Sequence, residues 1–365
     1  MTIDTLWYSY CPGPNSVGIA GNLGWLTDEF AADGITVRTL ASSTAPSRQV
    51  RNAHQLLPTP EVFPHLLRHG GNPPPLAALS RGEDWRIVGL TWTEATRRVL
   101  ALPESGIQTP ADLKGRRLSV PRREGVLVDY VRSVSLRTYA EALASAGLTF
   151  DDVELVDIEG GGIGAPPEAE RETKPITNQS TLWGAWTNAS AHRDEALALA
   201  RGEVDVIAAE HAQAAHLLAT FKLHTVFNTA EQAAASARAS GDLPLVFTVN
   251  GTLLDEHPEL IARWLARSID AAEWASEHRE EARRFIAANA GLPEELVDTA
   301  YSPEVHEQLG IDLDGRSVEA LKVQKRHLLE HGFLARDFDV EQFIDPAPLA
   351  AAHALRSRQP QTVGA

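Results

Sequence analysis

The chain has 365 residues, 43% of them hydrophobic and 22% charged, with a formal net charge of -16 and a single cysteine. That length can bury a core without disulfides or metals, and one cysteine excludes an intramolecular disulfide. The acidic balance argues against nucleic acid and anionic membrane as partners, so an anionic ligand would need a local cation.

The amino-terminal stretch MTIDTLWYSY lacks a basic segment, a long apolar segment and a small-residue cleavage site. No signal peptide is therefore expected, and the chain reads as cytoplasmic. No apolar run reaches the roughly 18 residues of a membrane span.

In chain order, TLWYSY reads as a strand, followed by a turn, a helix that stops near Gly34, and a strand around Val37 and Leu40. The proline-rich stretch APSRQVRNAHQLLPTPEVFP reads as a long surface loop. HLLRHGGNPPPL is expected to open with a helical turn that stops at Gly70-Gly71. WRIVGLT and RRVLALP read as strands. In TPADLKGRRLSV, Thr109 caps a short helix with Pro110 at its first position, and a strand starts at Arg117. Two helix–glycine–strand units follow, then a strand before Pro258 and a long amphipathic helix. The last 75 or so residues are mainly helical. Alternating strands and helices of this kind predict an α/β fold with mostly parallel sheets.

The segments GIQTPADLKGRRLSV, LALARGEVDVIAAE and FTVNGTLLDEHPELIARWLARSIDAAEWASEH resemble the type II periplasmic-binding-protein fold, in its sulfonate- and nitrate-binding branch. The resemblance implies two α/β lobes and an interlobe cleft, with residues 1–96 and 230–365 in one lobe and 97–229 in the other. Two further stretches, YSYCPGPN and LLRHGGNPPPL, resemble the cysteine and Arg-x-Gly-Gly segments of the 2'-hydroxybiphenyl-2-sulfinate desulfinases. That resemblance implies hydrolytic desulfination of an aromatic sulfinate to the arene or phenol plus sulfite. It makes Cys11 the catalytic cysteine, Arg68 the sulfinate-binding arginine and Gly71 the backbone donor, with Gly70 beside it. A histidine upstream of the arginine falls best on His54, with His65 as the second choice. The expected molecule is a monomer acting on a small aromatic sulfinate without a metal or organic cofactor.

The residue types suit that chemistry. A guanidinium offers a planar fork of donors to a compact oxyanion. Glycine lets the backbone approach closely. A thiol beside a cation and an imidazole can act as proton donor or nucleophile. Trp7, Tyr10 and Trp92 are candidates to frame a flat ring. His65, His69 and Glu61 share helical spacing, but Pro64 interrupts them and argues against a metal site. The competing reading is a non-catalytic sulfonate- or anion-binding protein on the same fold. A further alternative, a metal-dependent cysteine enzyme of pyrimidine-precursor synthesis, is disfavoured because the stretch around Cys11 holds no histidines.

Overall fold

The computed structural model describes residues 3–11, 13–40, 65–92, 96–123, 126–160, 193–232 and 244–358. The chain divides into two compact α/β units. The first comprises Met1–Thr93, Leu243–Ile286 and Glu304–Ala365; the second comprises Glu94–Asp242 and Ala287–Pro303. The chain thus crosses between units four times. Residues 94–96, 230–242 and 287–303, assigned from sequence to the first lobe, fall in the second unit. The cause is local packing: Thr96 donates to the carbonyl of Ala300, Arg98 donates to that of Thr299 at 2.7 Å, and His211 stacks on Tyr301.

The first unit is built on a six-stranded sheet of order β11-β4-β10-β3-β1-β2. Its strands are β1 (Thr5–Tyr10), β2 (Thr36–Thr39), β3 (Leu66–Gly71), β4 (Trp85–Thr91), β10 (Leu245–Asn250) and β11 (Ile311–Asp312). β1 runs parallel to β2 and β3, whereas β10 is antiparallel to both β3 and β4. Alternation along β1 sends Tyr8 and Tyr10 to one face. There they join a core that includes Leu67, Phe247 and Val249. The helix Pro258–Glu277 contributes Leu260, Ile261, Trp264, Leu265 and Ile269 to the same core. These residues recur every three or four positions, which is the spacing of one helical face.

One expectation fails here. LLRHGG is the strand β3 throughout, and no helical turn ends at Gly70-Gly71. The segment fills the space between β1 and β10, and pairing on both sides supplies backbone partners that a helical turn would forgo. The helix starts after the glycines, at Pro73.

The second unit holds β5 (Arg97–Ala101), flanked by β8 (Ile207–Glu210) and β9 (His224–Asn228), and the parallel pair β6 (Arg117–Arg122) and β7 (Glu154–Glu159). Pro110–Leu113 forms a short 3-10 helix capped by Thr109 and Asp112. Arg123 and Glu195 form a buried ion pair at 2.6 Å. Among the described residues, no helix is long and apolar enough to cross a membrane.

Candidate active site

Strand register brings the site together. Ser9 lies opposite Arg68 and Tyr10 opposite His69 in the β1–β3 pair. One residue further, the Cys11 amide donates to the His69 carbonyl at 2.9 Å. The next residues of β3 are Gly70 and Gly71, so the chain ends of β1 and β3 carry the thiol and the two glycines side by side. This is the carboxyl end of the parallel strands, where open α/β sheets place their ligands.

The loop after Cys11 is shaped by its own sequence. Gly13 adopts φ 133, a left-handed conformation open to glycine and costly for other residues. Asn15 then folds the loop back. Its Nδ2 donates to the carbonyls of Cys11 and Gly13 at 2.9 and 3.1 Å. Its Oδ1 accepts from the Gly18 amide at 2.6 Å, capping the helix Ser16–Asn22. The asparagine of the Cys-Pro-Gly-Pro-Asn stretch therefore holds the cysteine's main chain.

Gly71 donates its N–H to Cys11 Sγ at 3.1 Å. Arg68 donates from Nη2 to the Gly71 carbonyl at 3.0 Å. A Cβ built on Gly70 would sit 2.6 Å from Cys11 Sγ and 3.2 Å from Arg68 Nη2. Sulfur and guanidinium thus converge on one bare glycine. Cys11 is half-buried, whereas Arg68 is only 1% exposed. Burial lowers the Arg68 pKa to about 10, with the Cys11 charge acting in the opposite direction. It remains a cation at neutral pH, and its field is weakly screened.

His69 faces the opposite side of β3 and stacks on Phe247 with ring centroids 4.1 Å apart. Its Nε2 meets Thr91 Oγ1 at 2.9 Å. Burial, helped by the Arg68 charge, lowers its pKa to about 3, so the imidazole is neutral under ordinary conditions. It packs beneath the site and carries no proton chemistry near neutrality.

The other sequence-based candidates fall differently. His54 lies outside the described residues. His65 precedes β3, with Nδ1 at 3.3 Å from the Thr5 carbonyl. The Cys11 amide bonds at the level of His69, four strand residues further on, roughly 13 Å, so His65 does not partner the thiol. Tyr10 is a correction: it is buried in the core and stacked on Tyr8, because its position in β1 points it away from the face of Ser9 and Arg68. Trp7 shares the Ser9 face by alternation and is half-buried. Trp92 follows β4 on the same sheet edge as Gly71, since Thr91 and Gly71 both register with Leu245. Its Nε1 donates to Ser317 Oγ at 2.6 Å, and Arg316 lies 5.0 Å over its ring. No group of three or more His, Cys, Asp or Glu among the described residues could hold a metal ion. Asn72 had no assigned role from sequence; the three prolines behind it were the signal.

Comparison with known proteins places the fold first. The sulfonate-binding protein SsuA of Escherichia coli matches with a TM-score of 0.62 at 18% identity, over 94% of this chain and 92% of that one. The fold is the two-lobed type II periplasmic-binding-protein type. Residues 72–165 match the family described as NMT1/THI5 like.

Within that fold class, the chain resembles the 2'-hydroxybiphenyl-2-sulfinate desulfinases along nearly its whole length. It is 28% identical to those of Rhodococcus erythropolis and Rhodococcus qingshengii, over 94% of this chain and 92% of each relative. The crystal structure of a Cys-to-Ser mutant of the desulfurization enzyme DszB, in complex with biphenyl-2-sulfinic acid, matches with a TM-score of 0.74. Identity is 26%, over 96% of this chain and 99% of that one.

Proposed function

We propose that the protein is a cysteine-dependent desulfinase that cleaves the C–S bond of an aromatic sulfinate. The observation that carries this reading is the convergence of the Cys11 sulfur, the Gly71 N–H and the buried Arg68 cation on Gly70. Full-length similarity to sulfinate desulfinases supports the substrate class.

In this reading Arg68 supplies the positive field that an acidic surface lacks, and the missing side chain at Gly70 lets the sulfur and the guanidinium lie close together. The balanced reaction is aryl sulfinate plus water giving arene and hydrogen sulfite. In one route the Cys11 thiol protonates the carbon bearing sulfur. The C–S electron pair forms the new C–H bond, SO2 departs and hydrates, and a proton returns to sulfur. In the other, the thiolate attacks the sulfinate sulfur, the C–S bond breaks as the aryl carbon takes the proton released by the thiol, and water cleaves the new S–S bond to return the thiol and release hydrogen sulfite. The first route avoids bringing two anions together. Trp7 and Trp92 are the remaining candidates to frame the ring. His54 as the thiol's partner, monomeric state and cytoplasmic location belong to the same proposal.

The competing reading is a sulfonate- or anion-binding protein, favoured by the match to SsuA. A panel of aryl sulfinates with hydroxyl groups at different positions, assayed for sulfite, separates the two. Turnover abolished by Cys11→Ser supports the enzyme. Tight binding without sulfite release, unchanged by Cys11→Ser, supports the binding protein and rejects the enzyme.

A further inference from the structure

Asn72 stands immediately behind the glycines and in front of Pro73, Pro74 and Pro75, which open the helix Pro73–Ser80. An asparagine in this place ordinarily caps the helix by accepting an N–H from its second or third residue. Proline has no N–H, and Asn72 makes no side-chain cap bond. The first helical donor is Leu76, whose amide goes to the Asn72 main-chain oxygen at 3.0 Å. Three prolines have thus removed the usual employment of this side chain.

It is used elsewhere. Asn72 is 1% exposed, and its Nδ2 donates to the Pro244 carbonyl at 2.9 Å. Its Oδ1 is buried without a hydrogen-bond partner. Reversing the amide would set Oδ1 against the Pro244 oxygen, so the orientation is fixed. A buried unsatisfied acceptor is a destabilising feature that an apolar side chain would avoid. What asparagine adds is the bond to Pro244, the residue that leads into β10, whose Leu245 registers with Gly71.

The peptide groups around Gly71 are therefore held at three points. The Gly71 N–H points at Cys11 sulfur, its carbonyl accepts from Arg68, and the next side chain is tied to Pro244. We propose that Asn72 is a positioning residue, and that its tether to the Pro244 carbonyl holds the Gly71 N–H on the Cys11 sulfur. The inference rests on the reading of Cys11, Arg68 and Gly71 as the sulfinate site, but its geometry can be tested apart from that reading.

Because the chain has one cysteine, alkylation by iodoacetamide reports on Cys11 alone. The full-length protein is compared with Asn72→Ala and with Asn72→Leu, which keeps the branched shape while removing the donor. Thermal unfolding, alkylation rate from pH 5 to 9, and protection by biphenyl-2-sulfinate are measured. Both variants are expected to fold, to alkylate at a rate changed by about fivefold or more, and to need more sulfinate for protection. In turnover, KM should rise more than kcat falls. Folded variants with wild-type alkylation and wild-type protection overturn the proposal. Failure of both to fold overturns it too, since the residue would then be structural. If only Asn72→Ala fails, Asn72→Leu decides. If the wild type releases no sulfite from any sulfinate, the desulfinase reading fails while the alkylation comparison still judges Asn72.

Discussion

Gly71 and Cys11 are 60 residues apart in sequence, and the backbone N–H of the first donates to the sulfur of the second at 3.1 Å. The contact exists because β1 and β3 are parallel and in a register that leaves both residues at the same strand end. Neither strand makes the site alone.

Gly70 is the tightest point in that arrangement. Its φ is not in the left-handed region, so the argument for glycine is space alone. Gly70→Ala should fold, because β3 tolerates an alanine backbone, but its Cβ would meet sulfur at 2.6 Å. Relieving such a contact costs about 1–3 kcal/mol. We expect Cys11 alkylation and sulfite release to fall by tenfold or more, while the unfolding temperature falls by only a few degrees. Wild-type kinetics in Gly70→Ala would show that sulfur can move aside without consequence.

Arg68 should behave as a residue kept for function against stability. Its pKa is lowered by burial, so the folded state binds its proton less tightly than the unfolded state. Above pH of about 10, and up to the ordinary guanidinium range, its contribution rises with pH; below that the cation is a constant cost. Arg68→Met removes the desolvation cost of the buried cation but also its bond to the Gly71 carbonyl, effects of similar size. The unfolding temperature is therefore expected to move by only a few degrees. Affinity for sulfinate should fall by on the order of 2–4 kcal/mol. Calorimetry and titration with biphenyl-2-sulfinate check both halves; an unchanged affinity removes Arg68 from the site.

His69 predicts an acid-sensitive fold and a pH-insensitive reaction. Its folded pKa is about 3, lowered by burial and by Arg68, while the unfolded imidazole takes a proton near 6.5. As pH falls through that interval the unfolded state binds the extra proton. Stability then drops by up to about 1.4 kcal/mol per unit. Urea midpoints of wild type and His69→Gln, measured from pH 7 to pH 4, should diverge as pH falls, with the variant losing less. Parallel curves would mean that His69 is not the buried neutral group described. The pH–rate profile should show no titration from this residue between pH 5 and 8.

Asn15 holds the thiol loop by two donated bonds and one accepted bond. Asn15→Ala loses the helix cap and both carbonyl partners, a destabilisation of about 1–2 kcal/mol. Asn15→Asp keeps the cap acceptor but loses the donors to Cys11 and Gly13. We expect Asp to restore most of the unfolding temperature but not the alkylation rate. Equal recovery of both would assign Asn15 to helix capping alone.

Much of this was readable from residue order. Alternation in TLWYSY gives a strand, Pro258 and the apolar stripe behind it give the long helix, and the βα rhythm gives the α/β class. The expectation of mostly parallel sheets fails, since five of the eight described strand pairs are antiparallel, a matter of long-range pairing. The Cys-Pro-Gly-Pro-Asn and Arg-His-Gly-Gly stretches mark Cys11, Arg68, Gly70 and Gly71 by residue chemistry and family resemblance. What order could not reveal was partnership at long range. LLRHGG is apolar and glycine-terminated, which suits a helical turn as well as a strand; only β1 and β10 on either side decide it. Tyr10 beside the cysteine looks like a ring-binding residue, and only the pleat of β1 turns it into the core. The return of residues 287–303 to the second unit, and the tie between Asn72 and Pro244, likewise depend on contacts across many tens of residues. Local propensity acts within a few residues, so it names elements and chemistry. Which faces meet is set by packing that exists only once the chain has folded.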